Sequence, residues 1–188
     1  MKDLTDILKF TLGFMPWILL LFISGHTLVS LDRAIIICLF ASVIFGYDAL
    51  RKGFILQWGT LAYFAICALM INLLENMFFI MNMGILSNGF LASIIWLTIL
   101  MGKPFTLQYA RDELPKERWN DPGLIQACRF IALVWGFLVT FSTLVAGFKM
   151  FNPELFSDKI YLDINILTIA GGILFTQIYN KKIKKREN

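Results

Sequence analysis

Seven ionisable residues fall within or beside apolar stretches of this 188-residue chain: His26, Asp32, Arg33, Asp48, Glu75, Arg129 and Asp163. Carboxylates and a histidine set in hydrocarbon are the parts of a proton or ion relay, since their cost there keeps them for function. All seven lie close to the ends of their apolar stretches, and none is near the middle, which argues against such a relay. The single histidine excludes any two-histidine metal motif. A membrane-bound enzyme would require His26, Asp32 and Glu75 to converge, and a solvated loop histidine is the simpler reading of His26. No GxSxG, glycine-rich phosphate cradle or paired-carboxylate motif is present, so no catalytic residue, cofactor or metal is expected. Cys38, Cys67 and Cys128 sit in or at the edge of apolar stretches without CxxC spacing and read as small hydrophobes. Thr60, Ser93, Thr98, Ser142 and Thr143 are explained by hydrogen bonds between helices.

The elements that would position these residues are six hydrophobic segments, at about 7–25, 31–49, 55–74, 82–101, 124–148 and 160–179. A membrane-spanning helix needs about 20 apolar residues, and with 58% hydrophobic residues and a mean hydropathy of +0.71 little chain is left for a soluble domain. The expected fold is all-α, a polytopic membrane protein of about six transmembrane helices forming one integral membrane domain over residues 1–188. Lysines and arginines alternate by side. Thirteen fall on one side, from Lys2 and Lys9 through Arg51, Lys52, Lys103, Arg111, Lys116 and Arg118 to five in the 180–188 tail. The other side holds three, Arg33, Lys149 and Lys159. Basic loops stay in the cytoplasm, so both termini are expected there. The pI near 9.0 then reflects orientation and anionic headgroups, and nucleic acid is not an expected partner. Asp3 and Asp6 among the leading lysines, with no small-residue cleavage site after the first apolar run, predict an uncleaved first span. The second span has a charge-free core of only residues 34–47, so spans one and two either both cross or form a short, tilted hairpin.

Pro16 predicts a kink in the first span, Gly171-Gly172 a close contact or bend in the sixth, and Gly89, Ala92 and Ser93 a close-packing face on the fourth. Asn120 or Asp121 with Pro122 gives a helix start. No internal repeat is apparent, so an inverted-repeat transporter is not supported. The densest segment is the cytoplasmic connection at about 102–123. Pro104 can begin a short helix ending before Pro115, and on it Phe105 and Tyr109 share one face. An apolar face with mixed charges predicts a segment lying on the membrane surface. Lys103, Phe105, Tyr109, Arg111, Trp119 and Arg129 are the candidate contacts for a partner. Simple anchoring of the flanking helices is the plainer alternative, as stop-transfer is for the tail.

Met101, Lys103-Pro104, Leu114-Pro115, Trp119 and Trp135, preceded by Met15-Pro16 and Arg51-Lys52, form an order that resembles the intracellular septation protein A family of bacterial inner-membrane proteins. The stretch from Phe105 to Asp112 and Asn120-Asp121-Pro122 depart from that pattern. The resemblance implies a non-enzymatic, multi-pass protein of the bacterial inner (cytoplasmic) membrane. It implies a role in cell-envelope maintenance or septation, through contacts with other membrane or division proteins, and it transfers no catalytic residue. Self-association is compatible with it. The competing expectation is a small-molecule transporter or channel subunit, in which six helices are too few to enclose a large pore alone.

Overall fold

A computed structural model describes residues 11–25, 27–152, 154 and 157–187, with side chains as far as Lys181. His26 and the leading residues Lys2 and Lys9 lie outside the described set. Every regular element described is helical: α1 Met15–Ile23, α2 Leu28–Ile44, α3 Tyr47–Arg51, α4 Ile55–Cys67, α5 Met77–Met81, α6 Met83–Leu100, α7 Phe105–Glu113, α8 Pro122–Phe151 and α9 Asp158–Glu187. A π-helical stretch, Ala68–Leu73, continues α4, and one 3₁₀ turn, Lys116–Arg118, follows α7.

Local chemistry sets most of these boundaries. Asp121 caps α8, its carboxylate accepting from the Gly123 amide at 2.8 Å, with Pro122 in the first turn. Thr27 and Ser30 form a reciprocal capping box at the start of α2. The first span is interrupted where its proline predicts a kink: residues 11–13 are helical, Phe14 is a turn, and Pro16 sits in the first turn of α1, where its missing N–H costs nothing. The end of α4 widens, so that the Leu74 amide reaches back to the Leu69 carbonyl at 3.1 Å. The chain leaves this turn through Glu75, whose φ of 46° is a strained value for a residue with a Cβ. Asn76 then caps α5, accepting from the Phe78 and Phe79 amides.

Among the described residues, four helices are long and apolar enough to cross a membrane: α4 with its π-helical end, α6, α8 and the Asp158–Lys181 part of α9. The expected first two spans are shorter, nine residues in the described α1 and seventeen in α2. They pack on each other as a hairpin joined by a tight turn at Gly25, whose φ is 45°. Three basic segments meet at one end of the bundle. Lys52 pairs with Asp112 at 2.6 Å, and Tyr179, just before the basic tail, packs on Phe130 near the start of α8. Asp32, Glu75 and the Lys149–Asp158 ion pair belong to the opposite end.

The core is tied by tryptophans. Trp135 on α8 is fully buried, stacked on Phe14 at 4.5 Å between ring centres, with Phe105 edge-on at 6.4 Å. Its indole N–H donates to Thr176 on α9 at 3.0 Å, and its ring fills the space beside Gly172, one turn earlier. Trp96 on α6 repeats the arrangement on α8, donating to Thr140 at 2.9 Å and lying against Gly136. Trp17 on α1 donates to Thr60 on α4 at 3.1 Å.

A Cβ at Gly172 would stand 2.7 Å from the Trp135 ring, and the enclosed ring has nowhere to move. Gly172→Ala is therefore expected to destabilise by about 1–3 kcal/mol, more than Thr176→Val, which loses one interhelical bond worth about 0.6–1.7 kcal/mol. Thermal unfolding in one detergent, followed by circular dichroism, ranks the two; a milder Gly172→Ala would mean that this helix contact is loose.

Candidate functional site

The connection expected on the membrane surface is bound into the bundle. Thr98 at the end of α6 accepts from the Phe105 amide at 3.2 Å and so caps α7. Thr106 donates to the Cys128 carbonyl on α8 at 2.6 Å, and Gln108 accepts from the Ile55 amide at 3.0 Å, capping α4 in turn. Arg111 donates twice to the Trp119 carbonyl, and Trp119 donates to the Leu114 carbonyl at 3.1 Å, so the two close the loop on itself. The face carrying Phe105 and Tyr109 points inward: Phe105 meets Phe14 and Trp135, and Tyr109 meets Phe54 at 4.8 Å. This corrects the expectation that these two aromatics line a docking surface, because aromatic partners inside the bundle take the face that lipid would have covered. Lys103 and Arg129 are exposed, while Arg111 and Trp119 are half-buried. Asp121 pairs with Arg118 at 3.7 Å.

Tyr109 also donates a long, 3.5 Å bond to Gln57, a wholly buried amide whose Nε2 has no partner among the described residues. Burial among Phe54, Gly13 and Gln57 pushes the Tyr109 phenol well above its ordinary value, since a phenolate there would be stripped of water.

At the other end the bundle is not filled. A cavity of about 320 Å³ lies between the α1–α2 hairpin and α6, α8 and α9, within the size range of small-molecule sites, about 300–1,000 Å³. One wall is apolar, with Trp17, Leu20, Leu31, Leu91 and Val139. The other carries Ser87, Asn88, Tyr161, Asn165 and Thr168, and the rim is Ser24, Gly25 and Thr27. Among the described lining residues none is an acid or a base of the Asp, Glu, Lys or Arg type. The polar wall is one network. Asn88 donates to the Tyr161 hydroxyl at 3.1 Å and to the Asn165 carbonyl oxygen at 2.9 Å. Ser142 donates to the same oxygen at 2.7 Å, and the Asn165 amide donates to the Tyr161 backbone carbonyl. Behind Ser87 lies Tyr63, with the two hydroxyls 2.8 Å apart. Lys149 sits over the Tyr161 ring at 4.7 Å, but Asp158 pairs with it, so the rim charge is compensated. Thr168 lies ten residues into α9, about 15 Å along its axis.

The hydroxyls singled out from sequence divide between two uses. Thr60, Thr98 and Ser142 bond across elements, whereas Ser93 and Thr143 bond back within their own helices. Sequence reasoning missed Asn88 and Asn165, although an amide inside an apolar span is itself a signal, because lipid offers it no partner.

Raising the Tyr109 pKa in the folded state gives a pH signature with a definite sign. Its contribution is complete below the unfolded value near 10 and is lost as pH rises beyond it. The melting temperature of the wild type is expected to fall more steeply between about pH 9 and 11 than that of Tyr109→Phe; equal slopes would show that the phenol ionises freely. Set against known proteins, the chain matches no family model, no curated protein and no solved structure.

Proposed function

We propose that this chain is a multi-pass membrane protein that binds a small uncharged molecule in the cavity and carries it as a transporter or transporter subunit. One observation carries the reading: a cavity between helices long and apolar enough to cross a membrane, whose polar wall contains amides and hydroxyls but no Asp, Glu, Lys or Arg among the described residues. Interior polar groups in a membrane bundle are costly unless bonded. A site offering them without charge suits a neutral solute and not an ion. The Phe14, Phe105 and Trp135 layer closes the basic half, which fits a carrier open at one end.

In this reading the chain makes six passes, the first two as a short hairpin. The outward apolar side chains Phe22, Ile36, Ile37, Phe40 and Ile44 support lipid around that hairpin. Both termini and the basic end face the cytoplasm, the cavity opens on the other side, and the membrane is taken as a bacterial inner membrane on the sequence resemblance alone. A second reading is the envelope or septation role through protein contacts. It draws on the exposed charges Lys103, Lys116, Glu117 and Arg129 at the pinned basic end.

Two measurements test these statements. An impermeant maleimide applied to intact spheroplasts is expected to label Thr27→Cys but reach Lys116→Cys only after permeabilisation. The three native cysteines are buried and stay unreactive, and the reverse labelling would overturn the orientation. In proteoliposomes, stopped-flow light scattering is expected to show protein-dependent entry of glycerol or urea, none of potassium gluconate, and a rate cut about tenfold by Asn88→Leu. Absence of protein-dependent entry for every neutral solute would sink the transport reading in favour of the contact-mediated one.

A further inference from the structure

Resting on the reading of the cavity as a binding site, the hydrogen bonds that its polar wall leaves unmade identify the chemistry of the ligand. Asn88 uses both amide hydrogens on Tyr161 and Asn165, and its carbonyl oxygen accepts nothing among the described residues. The Tyr161 hydroxyl accepts from Asn88, which leaves its hydrogen free to donate. The Thr168 hydroxyl forms no hydrogen bond with the described residues, and the Tyr161 hydroxyl lies against Gly84 with Asn165 as a second polar neighbour. Among the described residues, the buried side-chain polar atoms without partners are Gln57 Nε2 and Asn72 Oδ1. The Asn88 oxygen and the Thr168 hydroxyl are therefore not sealed in protein, and both residues line the cavity. Ser87 differs, since it donates to the Met83 carbonyl at 2.7 Å and meets the Tyr63 hydroxyl.

We infer that the cavity takes an amphipathic molecule with a neutral hydroxyl head, the hydroxyl donating to Asn88 and accepting from Tyr161 or Thr168, and a short apolar body against Leu20, Leu31 and Leu91. A hydroxyl is the smallest group that both donates and accepts at one atom, as this wall requires. A carboxylate is an acceptor only and would leave the Asn88 oxygen facing an oxygen, and among the described lining residues no Lys or Arg would neutralise its charge, Lys149 at the rim being paired with Asp158. An alkane would leave all three polar groups stripped of water and unbonded, which costs more than a bond gained. The apolar wall on the hairpin side takes up the hydrocarbon. The same chemistry comes from two sources, a free alcohol entering past Ser24 and Thr27 or the glycerol head of a neutral lipid.

Trp17 lines the cavity, so its fluorescence reports occupancy by a brominated probe, which quenches at contact. Detergent-purified full-length protein is titrated with bromohexanol, bromohexane, bromohexanoate and a bromoacyl monoglyceride, with Trp17→Phe assigning the signal. The expected result is saturable quenching by bromohexanol at a concentration about tenfold below bromohexane, the effect of one or two added hydrogen bonds. Tyr161→Phe and Thr168→Val, each checked for an unchanged circular-dichroism spectrum, are each expected to narrow that gap. The relative strength of the monoglyceride and bromohexanol tells a lipid source from a free alcohol, both within the inferred class. Saturable quenching with equal strength for bromohexane, or stronger for bromohexanoate, overturns the class while leaving the cavity a binding site. No saturable quenching by any probe overturns the binding reading itself.

Discussion

An indole buried in a membrane bundle makes two demands, space for a large flat ring and an acceptor for one N–H, and the packing of this protein follows from how Trp135 meets both. Lipid can supply neither a fitted slot nor an acceptor. Gly172 and Thr176, one turn apart on α9, supply the two together: the missing Cβ admits the ring and the hydroxyl takes the hydrogen. The same pair of residue types recurs as Gly136 and Thr140 beneath Trp96. The indoles thereby fix α6 on α8 and α8 on α9 in both rotation and register, since a one-residue slip would separate glycine from ring or threonine from N–H. Phe14 and Phe105 then close on Trp135, so α1 and α7 are held by a ring that α8 and α9 have already oriented.

That aromatic layer divides the bundle along its axis. On the basic side most of the polar groups named above are used, Gln57 Nε2 excepted: Thr98 caps α7, Gln108 caps α4, Thr106 ties α7 to α8, and Lys52 meets Asp112. Such bonds leave the 103–121 connection little freedom, and they make it part of the wall that seals this end. On the other side α5 is a five-residue helix between the strained Glu75 and Asn82, and the polar wall leaves the Asn88 carbonyl oxygen and the Thr168 hydroxyl without a partner among the described residues. A passage through the molecule would have to part the Phe14–Trp135 stack, so any carrier cycle must move α1 relative to α8.

The sequence exposed the ends of elements better than their faces. Asp121-Pro122 and Pro104 start helices where they were expected to, and Gly172 is the close contact foreseen at Gly171-Gly172, with Gly171 meeting nothing. These signals are local backbone chemistry and need no partner to be read. The inward turn of Phe105 and Tyr109 was not legible, for a physical reason. Spacing by four shows that two aromatics share a face, but in a bilayer both the protein interior and the surrounding lipid are apolar. The pattern therefore cannot say which of the two covers that face. The same degeneracy blurs Ala92 and Ser93, neighbours in sequence of which one is buried and one exposed. The first two spans suffered from a different ambiguity, that of length: seventeen residues in α2 lie between a short crossing and a hairpin arm.

Polar residues escape the degeneracy, because an amide is as poorly served by lipid as by an apolar core and must find another polar group. Asn88 and Asn165, set in spans on different helices, were in that sense a contact prediction waiting in the sequence, and the 2.9 Å bond between them is its fulfilment. The neutrality of the pair matters for what the cavity can hold. A charged pair would have attracted its own counter-charge and closed the space, as Lys149 and Asp158 do at the rim. Two amides satisfy each other in part and leave a donor or acceptor over, so the wall can be stable when empty and still bond to a guest. A membrane protein that must stay folded around a partly polar cavity is confined to this chemistry, in which each group is bonded enough to be buried and not so fully that it is inert.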